Sequence, residues 1–240
     1  MNLTGVRSVL SKVSTIAIDG FAASGKSTAA ALLAQSLGYL YFDTGVMYRA
    51  VTWAVLDREL NPENSDQVSE LAEKLRIEVK PGGLDDGRQY TVLADGRDVT
   101  WLIRQPEVDA QVSRIASYPR VRAALTAQQR LIAASGSIVM VGRDIGTVVL
   151  PEADLKIFMH ASAEERARRR YNEAITQNES ANFEEILRTM VERDEQDKAN
   201  PVSPTVPAKD AIIVNTDGLT IEQVVTRLKQ LVLDYNNGTQ

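Results

Sequence analysis

One segment restricts the fold more than any other. "IAIDGFAASGKSTAAALLAQSL", residues 16–37, sets an apolar run, a glycine-bounded loop and an alanine-rich run in direct succession. Gly20-Phe21-Ala22-Ala23-Ser24-Gly25-Lys26-Ser27 fits the pattern G-x-x-x-x-G-K-[ST] in full. In such a loop, glycines let successive backbone N–H groups turn inward onto phosphate oxygens. The lysine places a charge at the β- and γ-phosphates, the serine hydroxyl ligates Mg²⁺, and the positive end of the next helix faces the anion. The motif needs a strand before it and a helix after it, so residues 15–19 are expected as a strand and Ser24 to Leu37 as a helix. A bound nucleotide is the expectation.

The rest of the chain continues the alternation. "YLYFD" (39–43) reads as a strand, and 44–60 as a helix with Met47, Val51, Ala54 and Val55 at helical spacing. "SIVMV" (137–141), "ADLKIFM" (153–159) and "AIIVN" (211–215) are further apolar runs of strand length. Five strands with intervening helices predict an α/β fold, a doubly wound parallel sheet with helices on both faces. Residues 75–100 depart from this, with Pro-Gly-Gly and two Asp-Gly pairs between β-rich stretches. That is hairpin chemistry and predicts a small inserted antiparallel sheet. Helices are expected over about 106–117 and 119–134, and "NPVSPTVP" (200–207) as an extended connector.

Composition narrows the partners. A chain of 240 residues, 44% hydrophobic, can bury one sizeable core with an inserted subdomain. A net charge of −5 argues against a whole-surface basic footprint for nucleic acid but leaves room for local basic clusters, and no stable nucleic-acid partner is expected. The absence of cysteine excludes disulfides, thiol nucleophiles and thiolate metal sites, and is compatible with a reducing compartment. No run approaches the roughly 18 apolar residues that cross a bilayer. The start "MNLTGVRSVLSKVS" has Arg7 and Lys12 but no continuous apolar stretch of a secretory signal. The expectations are a flexible tail over 1–13, a single domain over 14–240, a cytoplasmic location, no membrane partner, and a monomer.

Loops of this kind serve switches, motors and small-molecule kinases alike. The N-K-x-D guanine-reading motif is absent, and no apolar run ending in Asp-Glu stands out. A kinase for a small acceptor needs a second anionic pocket and several arginines. Arg49 follows Asp43-Thr44-Gly45 by one turn, Arg120 and Arg122 lie in "YPRVR", and Arg143 and Asp144 follow "SIVMV". The carboxyl end of a strand is where ligands of open α/β sheets bind. Arg166, Arg169 and Arg170 share a helix face, and Arg193, Asp194 and Asp197 lie on the next helix. Plainer readings stand beside these. "EERARRR" holds the Glu164–Arg168 and Glu165–Arg169 pairs of a solvated helix, and Arg49 could end a buried helix face. His160, the sole histidine, reads as structural. Its isolation fits a phosphate acceptor, which is ionised near neutral pH and needs positioning and charge neutralisation more than a general base.

Together, "IDGFAASGKSTAAALLAQSLGYLYFDTGVMYRA", "YPRVR", "VGRDIGTVVLPEADLKIFMHASAEERARRRY" and "VERDEQD" resemble the bacterial cytidylate kinase family, from about residue 15 to about 233. The resemblance implies the P-loop nucleoside monophosphate kinase fold. Its core would lie at 14–43, 136–161 and 208–235, its monophosphate-binding segment with the β-rich insert at about 44–135, and a mobile helical lid at about 162–182. It implies ATP and Mg²⁺ as cofactors, with Gly20, Phe21, Ala22, Ala23, Ser24, Gly25, Lys26, Ser27 and Thr28 around ATP and Ser27 on the metal. CMP or dCMP would be held by Thr44, Arg49, Ser113, Arg122, Arg143, Asp144, Arg193 and Asp197, of which Arg193 and Asp197 reach the ribose. Phosphoryl transfer would rest on Lys26, Arg143, Arg166, Arg170 and Arg193. A carboxylate at 144 suits cytosine, which offers an exocyclic amine where uracil presents a carbonyl.

Two residues depart from the family's pattern. Phe21 stands where proline follows the first loop glycine, which loosens the local φ constraint and crowds the loop. Asn200 stands where an arginine is expected three residues after Asp197, with Lys198 nearby as a point charge lacking the bidentate fork. Weaker acceptor binding or turnover is expected from this. The competing readings are another acceptor (UMP, AMP or a non-nucleotide such as shikimate) and a nucleotide-sensing module without catalysis. The intact Lys26 and Ser27 speak against the second.

Overall fold

A computed structural model describes residues 13–81, 86–88, 90–176 and 180–238. Five strands form a parallel sheet: β1 Thr15–Asp19, β2 Leu40–Asp43, β6 Ile138–Gly142, β7 Leu155–His160 and β8 Ile212–Asn215, in the order β2-β6-β1-β7-β8. Between β2 and β6 the chain forms α2 Gly45–Asp57, α3 Ser65–Lys74, strands β3 Ile77–Pro81, β4 Tyr90–Ala94 and β5 Arg97–Asp98, then α4 Pro106–Ala116 and α5 Pro119–Ala133. The other helices are α1 Lys26–Leu37, α6 Ala163–Thr176, α7 Phe183–Lys198 and α8 Ile221–Asn236. The five expected strands are all present within two residues of their expected bounds.

The apolar strands are continuous because both faces of the sheet are covered. Ile16 and Ile18 of β1 and Val139 and Val141 of β6 face α1 and α8, where Ala29, Ala30, Leu33, Leu228 and Val232 pack. Ala17, Ile138 and Met140, one residue out of phase, face the opposite core with Phe42, Met47, Val51 and Leu125. The alanines of α1 let its axis come close to the sheet, and a fully buried Leu33 stabilises that contact by about 1.5–3 kcal/mol.

β3, β4 and β5 form the expected antiparallel sheet. The β4–β5 connection is Asp95-Gly96, both at positive φ (48° and 82°), as a two-residue hairpin requires. The Gly-Gly of the first turn signal lies outside the described residues. α3 has no counterpart among the sequence expectations. It is capped by Asn64, whose side chain accepts the Gln67 N–H, and it buries Val68, Leu71 and Ala72. Most of the expected tail, residues 1–12, lies outside the described residues, but Val13 is buried and its N–H donates to Asn236 at 2.8 Å. Among the described residues no helix is long and apolar enough to cross a membrane.

Candidate active site

The carboxyl ends of β1, β2 and β6 converge on one cleft of about 660 Å³, lined by Lys26, Ser27, Thr44, Arg49, Ser113, Arg122, Arg143, Asp144, Arg193 and Asp197 among others. A neighbouring cavity of about 620 Å³ opens between α6 and α7 beside Ala22 and Ala23, with Arg166, Arg170 and Arg193 on its wall. The two cavities share Ala22 and Arg193, so the phosphate loop lies between them.

The loop itself is tightly determined. A Cβ on Gly20 would lie 2.3 Å from the Met159 carbonyl oxygen, so only glycine permits this approach to β7. Ala23 and Gly25 both adopt positive φ (59° and 84°), and α1 begins at Lys26, two residues later than its expected start at Ser24. The left-handed residues keep 20–25 out of the helix, where their N–H groups can face an anion. Ser24 is buried, and its Oγ has no hydrogen-bond partner among the described residues. Thr28 is exposed on the first turn of α1. Phe21 does not obstruct the cradle: its ring is buried, edge-on to Phe158 at 6.0 Å, with the Arg166 and Lys198 cations each 5.6 Å from its centre.

Lys26 Nζ donates to the Phe21 carbonyl at 2.9 Å, and desolvation, opposed chiefly by Asp43, lowers its pKa to about 8. Ser27 Oγ donates to Asp43 Oδ2 at 3.1 Å, while Asp43 Oδ1 accepts the Gly45 N–H at 2.9 Å. Two hard oxygen donors thus meet beside the loop, a set that suits Mg²⁺ completed by water and phosphate oxygens. Asp43 had no assigned role in the sequence reading, although its place at a strand's carboxyl end next to Thr44 was the available signal.

On the other side of the cleft, the charges are stored as ion pairs. Asp144 is buried and pairs with Arg122, whose guanidinium also donates to the Ala116 carbonyl and lies over the Tyr48 ring. Arg143 pairs with Asp197, whose Oδ2 is buried with no partner among the described residues. Adjacent in sequence, Arg143 and Asp144 point to different partners and not to each other. Arg49 donates to the Ile103 carbonyl at 3.0 Å and pairs with Asp109. Thr44 is buried with its hydroxyl on the Val141 carbonyl, and Ser113 lies exposed at the rim.

Several sequence expectations need correction. Arg120 belongs to the surface, where it pairs with Glu73 and Asp66 on α3, and only Arg122 of "YPRVR" reaches the cleft. The solvated reading of "EERARRR" fails at Arg166, which is buried. It pairs with Asp194 and donates to the Ala161 and Ala22 carbonyls at 3.0 and 3.2 Å. Of the two expected pairs, Glu165–Arg169 forms at 3.0 Å, whereas Arg168 is exposed on Glu165 and not on Glu164; Arg170 is exposed on Glu173 at the cavity wall. Arg169 donates to the Thr216 carbonyl at 2.6 Å and the Ser24 carbonyl at 3.3 Å. Lys198 does not line the cleft but lies against Phe21 and Glu195. Asn200 does line it, and its Oδ1 accepts the Val202 and Ser203 N–H groups at 3.0 and 3.1 Å. The 200–207 connector is therefore folded back at its start. His160 is exposed, and its carbonyl accepts the Thr216 N–H at 2.8 Å.

The profile of the cytidylate kinase family matches residues 16–234. The cytidylate kinase of Chloroflexus aggregans is 53% identical over 219 residues, covering 91% of this chain and 94% of its own. Those of Carboxydothermus hydrogenoformans and Roseiflexus castenholzii are 48% and 47% identical, over 90% and 96% of this chain and 96% and 98% of theirs. With a phosphate loop, an arginine-rich cleft and matches of this extent, the chain belongs to the cytidylate kinase family.

Proposed function

We propose that the enzyme transfers the γ-phosphoryl group of ATP to the α-phosphate of CMP, and of dCMP, by in-line displacement. The observation that carries the acceptor is the buried Asp144 carboxylate, held by Arg122 in a cleft that also contains the phosphate loop. Cytosine's exocyclic amine donates to such a carboxylate, whereas the O4 of uracil would face it lone pair to lone pair. Asp197, with its unpartnered Oδ2, and Arg193 face the ribose hydroxyls, and Thr44, Ser113 and Arg49 border the acceptor.

An α-phosphate oxygen of CMP attacks the γ-phosphorus, the bond to the β–γ bridging oxygen breaks, and that electron pair leaves with ADP. The acceptor phosphate is largely dianionic at neutral pH, so no side chain needs to take a proton. Gly20 to Thr28 hold the donor, Lys26 bridges its outer phosphates, and Arg143, Arg166, Arg170 and Arg193 offset charge on the transferring group. Arg166 acts from a fixed position because Asp194 and two carbonyls hold its guanidinium. Mg²⁺ would be held at Ser27, with Asp43 beside it, and would neutralise the β- and γ-oxygens. The part of the segment at about 162–182 beyond the anchored Arg166, of which 177–179 lie outside the described residues, serves as a lid that excludes water, which would otherwise take the phosphoryl group. We place the enzyme in the cytoplasm as a monomer; its lack of cysteine is compatible with a reducing compartment.

The test is initial-rate assay of ADP release with ATP and CMP, dCMP, UMP and AMP, with Mg²⁺ varied. CMP should give the highest kcat/KM, with turnover requiring Mg²⁺. Equal rates for CMP and UMP or AMP would overturn the acceptor assignment.

A further inference from the structure

We infer that Asp19, a buried carboxylate with no part in the mechanism above, is the positioning residue that sets Asp144 for base recognition. Asp19 ends β1 and immediately precedes the phosphate loop. Its Oδ1 accepts the Ile145 N–H at 2.7 Å and its Oδ2 the Gly146 N–H at 2.8 Å. Those two groups open the five-residue π-helical turn Ile145–Val149, where no partner within the turn exists for them. Asp144 is the residue before that turn, and its carbonyl accepts the Val148 and Val149 N–H groups at 2.9 and 3.1 Å. Its φ of −142° and ψ of 27° belong to no regular element. Arg122 holds the Asp144 carboxylate from one side, and Asp19 fixes the backbone of the turn from which Asp144 springs.

The arrangement is costly, which argues that it is selected for position. Asp19 is only 4% exposed, and burial together with the nearby Asp144 charge raises its pKa to about 6 in spite of the two N–H bonds and Lys26. A protein that needed only to cap a turn has neutral side chains for the purpose. Both oxygens are used, so the two-point contact fixes rotation as well as distance between β1 and the turn. It joins the donor loop, one residue downstream of Asp19, to the acceptor-reading residue, one residue upstream of Ile145. Packing restricts the turn further. A Cβ on Gly146 would lie 3.3 Å from the Lys156 side chain and 3.4 Å from Asp19 Oδ2.

The inference rests on the CMP kinase reading, and the experiment separates the two. For wild type, Asp19→Asn and Gly146→Ala, kcat/KM is measured with CMP and with UMP at saturating MgATP, and the readout is the CMP:UMP ratio. Any effect on ATP binding through Lys26 is common to both acceptors and cancels. Asp19→Asn keeps the shape but turns an amide N–H toward one backbone N–H, so the ratio should fall at least tenfold. Gly146→Ala should lower the ratio in the same direction, and it decides the matter alone if Asp19→Asn does not fold. A wild-type enzyme without CMP preference overturns the acceptor reading. A wild-type preference kept within twofold in either folded variant, even with kcat reduced, overturns the role of Asp19.

Discussion

Asn200 faces the acceptor cleft where the family resemblance calls for arginine, and Asn200→Arg measures both sides of that exchange. The asparagine is occupied: its Oδ1 holds the Val202 and Ser203 N–H groups at the end of α7. Removing two such bonds from a half-exposed turn, where water recovers part of each, costs about 1–2 kcal/mol. For a chain of 240 residues that lowers Tm by about 2–4 °C. The new guanidinium can make one charge-assisted bond to the acceptor phosphate, worth about 1.5–3 kcal/mol. Ordering its side chain consumes about 1–1.5 kcal/mol, which leaves a net of about 1 kcal/mol. KM for CMP should therefore fall about fivefold. Lys198 does not already supply this charge, because it is held on Phe21 and Glu195. Initial rates with CMP at saturating MgATP and a thermal melt on the same preparations give both numbers. A lower Tm with unchanged CMP kinetics would refute the reasoning, since Asn200 would then be a turn residue and nothing more.

Lys26→Ala should reduce turnover by three or more orders of magnitude while the melting profile stays cooperative, since the charge acts on the transferring phosphates. Single-turnover assay with excess enzyme checks it, and turnover near wild type would sink the mechanism. In the free enzyme, Lys26 has a pKa near 8, so kcat/KM for ATP should decline as pH rises through about 8 and the ammonium loses its proton. The same depressed pKa means the unfolded chain binds more protons between about 8 and 10.5, so the Lys26 contribution to stability rises with pH across that window. A rate profile from pH 7 to 9.5 without that limb contradicts the assignment. Arg120→Ala should leave CMP kinetics within twofold, because its partners are Glu73 and Asp66 at the surface, whereas Arg122→Ala should raise KM for CMP strongly.

Legibility in the sequence followed the range of the interaction. The five parallel strands could be read because each is a short apolar run, and the antiparallel sheet because Asp95-Gly96 carries its own turn chemistry. α3 escaped, although Asn64 before Ser65 is a capping signal, because "SDQVSELAEK" is mostly polar and buries only one narrow face. Arg120 and Arg122 are two residues apart and look equivalent on paper. On a helix that spacing turns them about 200° apart, so one meets α3 and the other the cleft. The π-helical turn after Asp144 has no composition of its own and depends on Asp19, more than a hundred residues earlier.

Residues 16–37 and the apolar runs downstream determined by themselves an α/β fold with a nucleotide on the loop, and the arginines after the strands pointed to a kinase with a small acceptor. Those signals are local: a loop pattern, strand-length apolar runs, arginines after strands. The tertiary structure alone decided which charges work together. Asp144 meets Arg122 and not its neighbour Arg143, Arg166 is buried on Asp194, and Ser27 finds Asp43. The physical reason is that a charge pairs with whatever the packed sheet brings within a few ångströms, and sequence distance does not measure that.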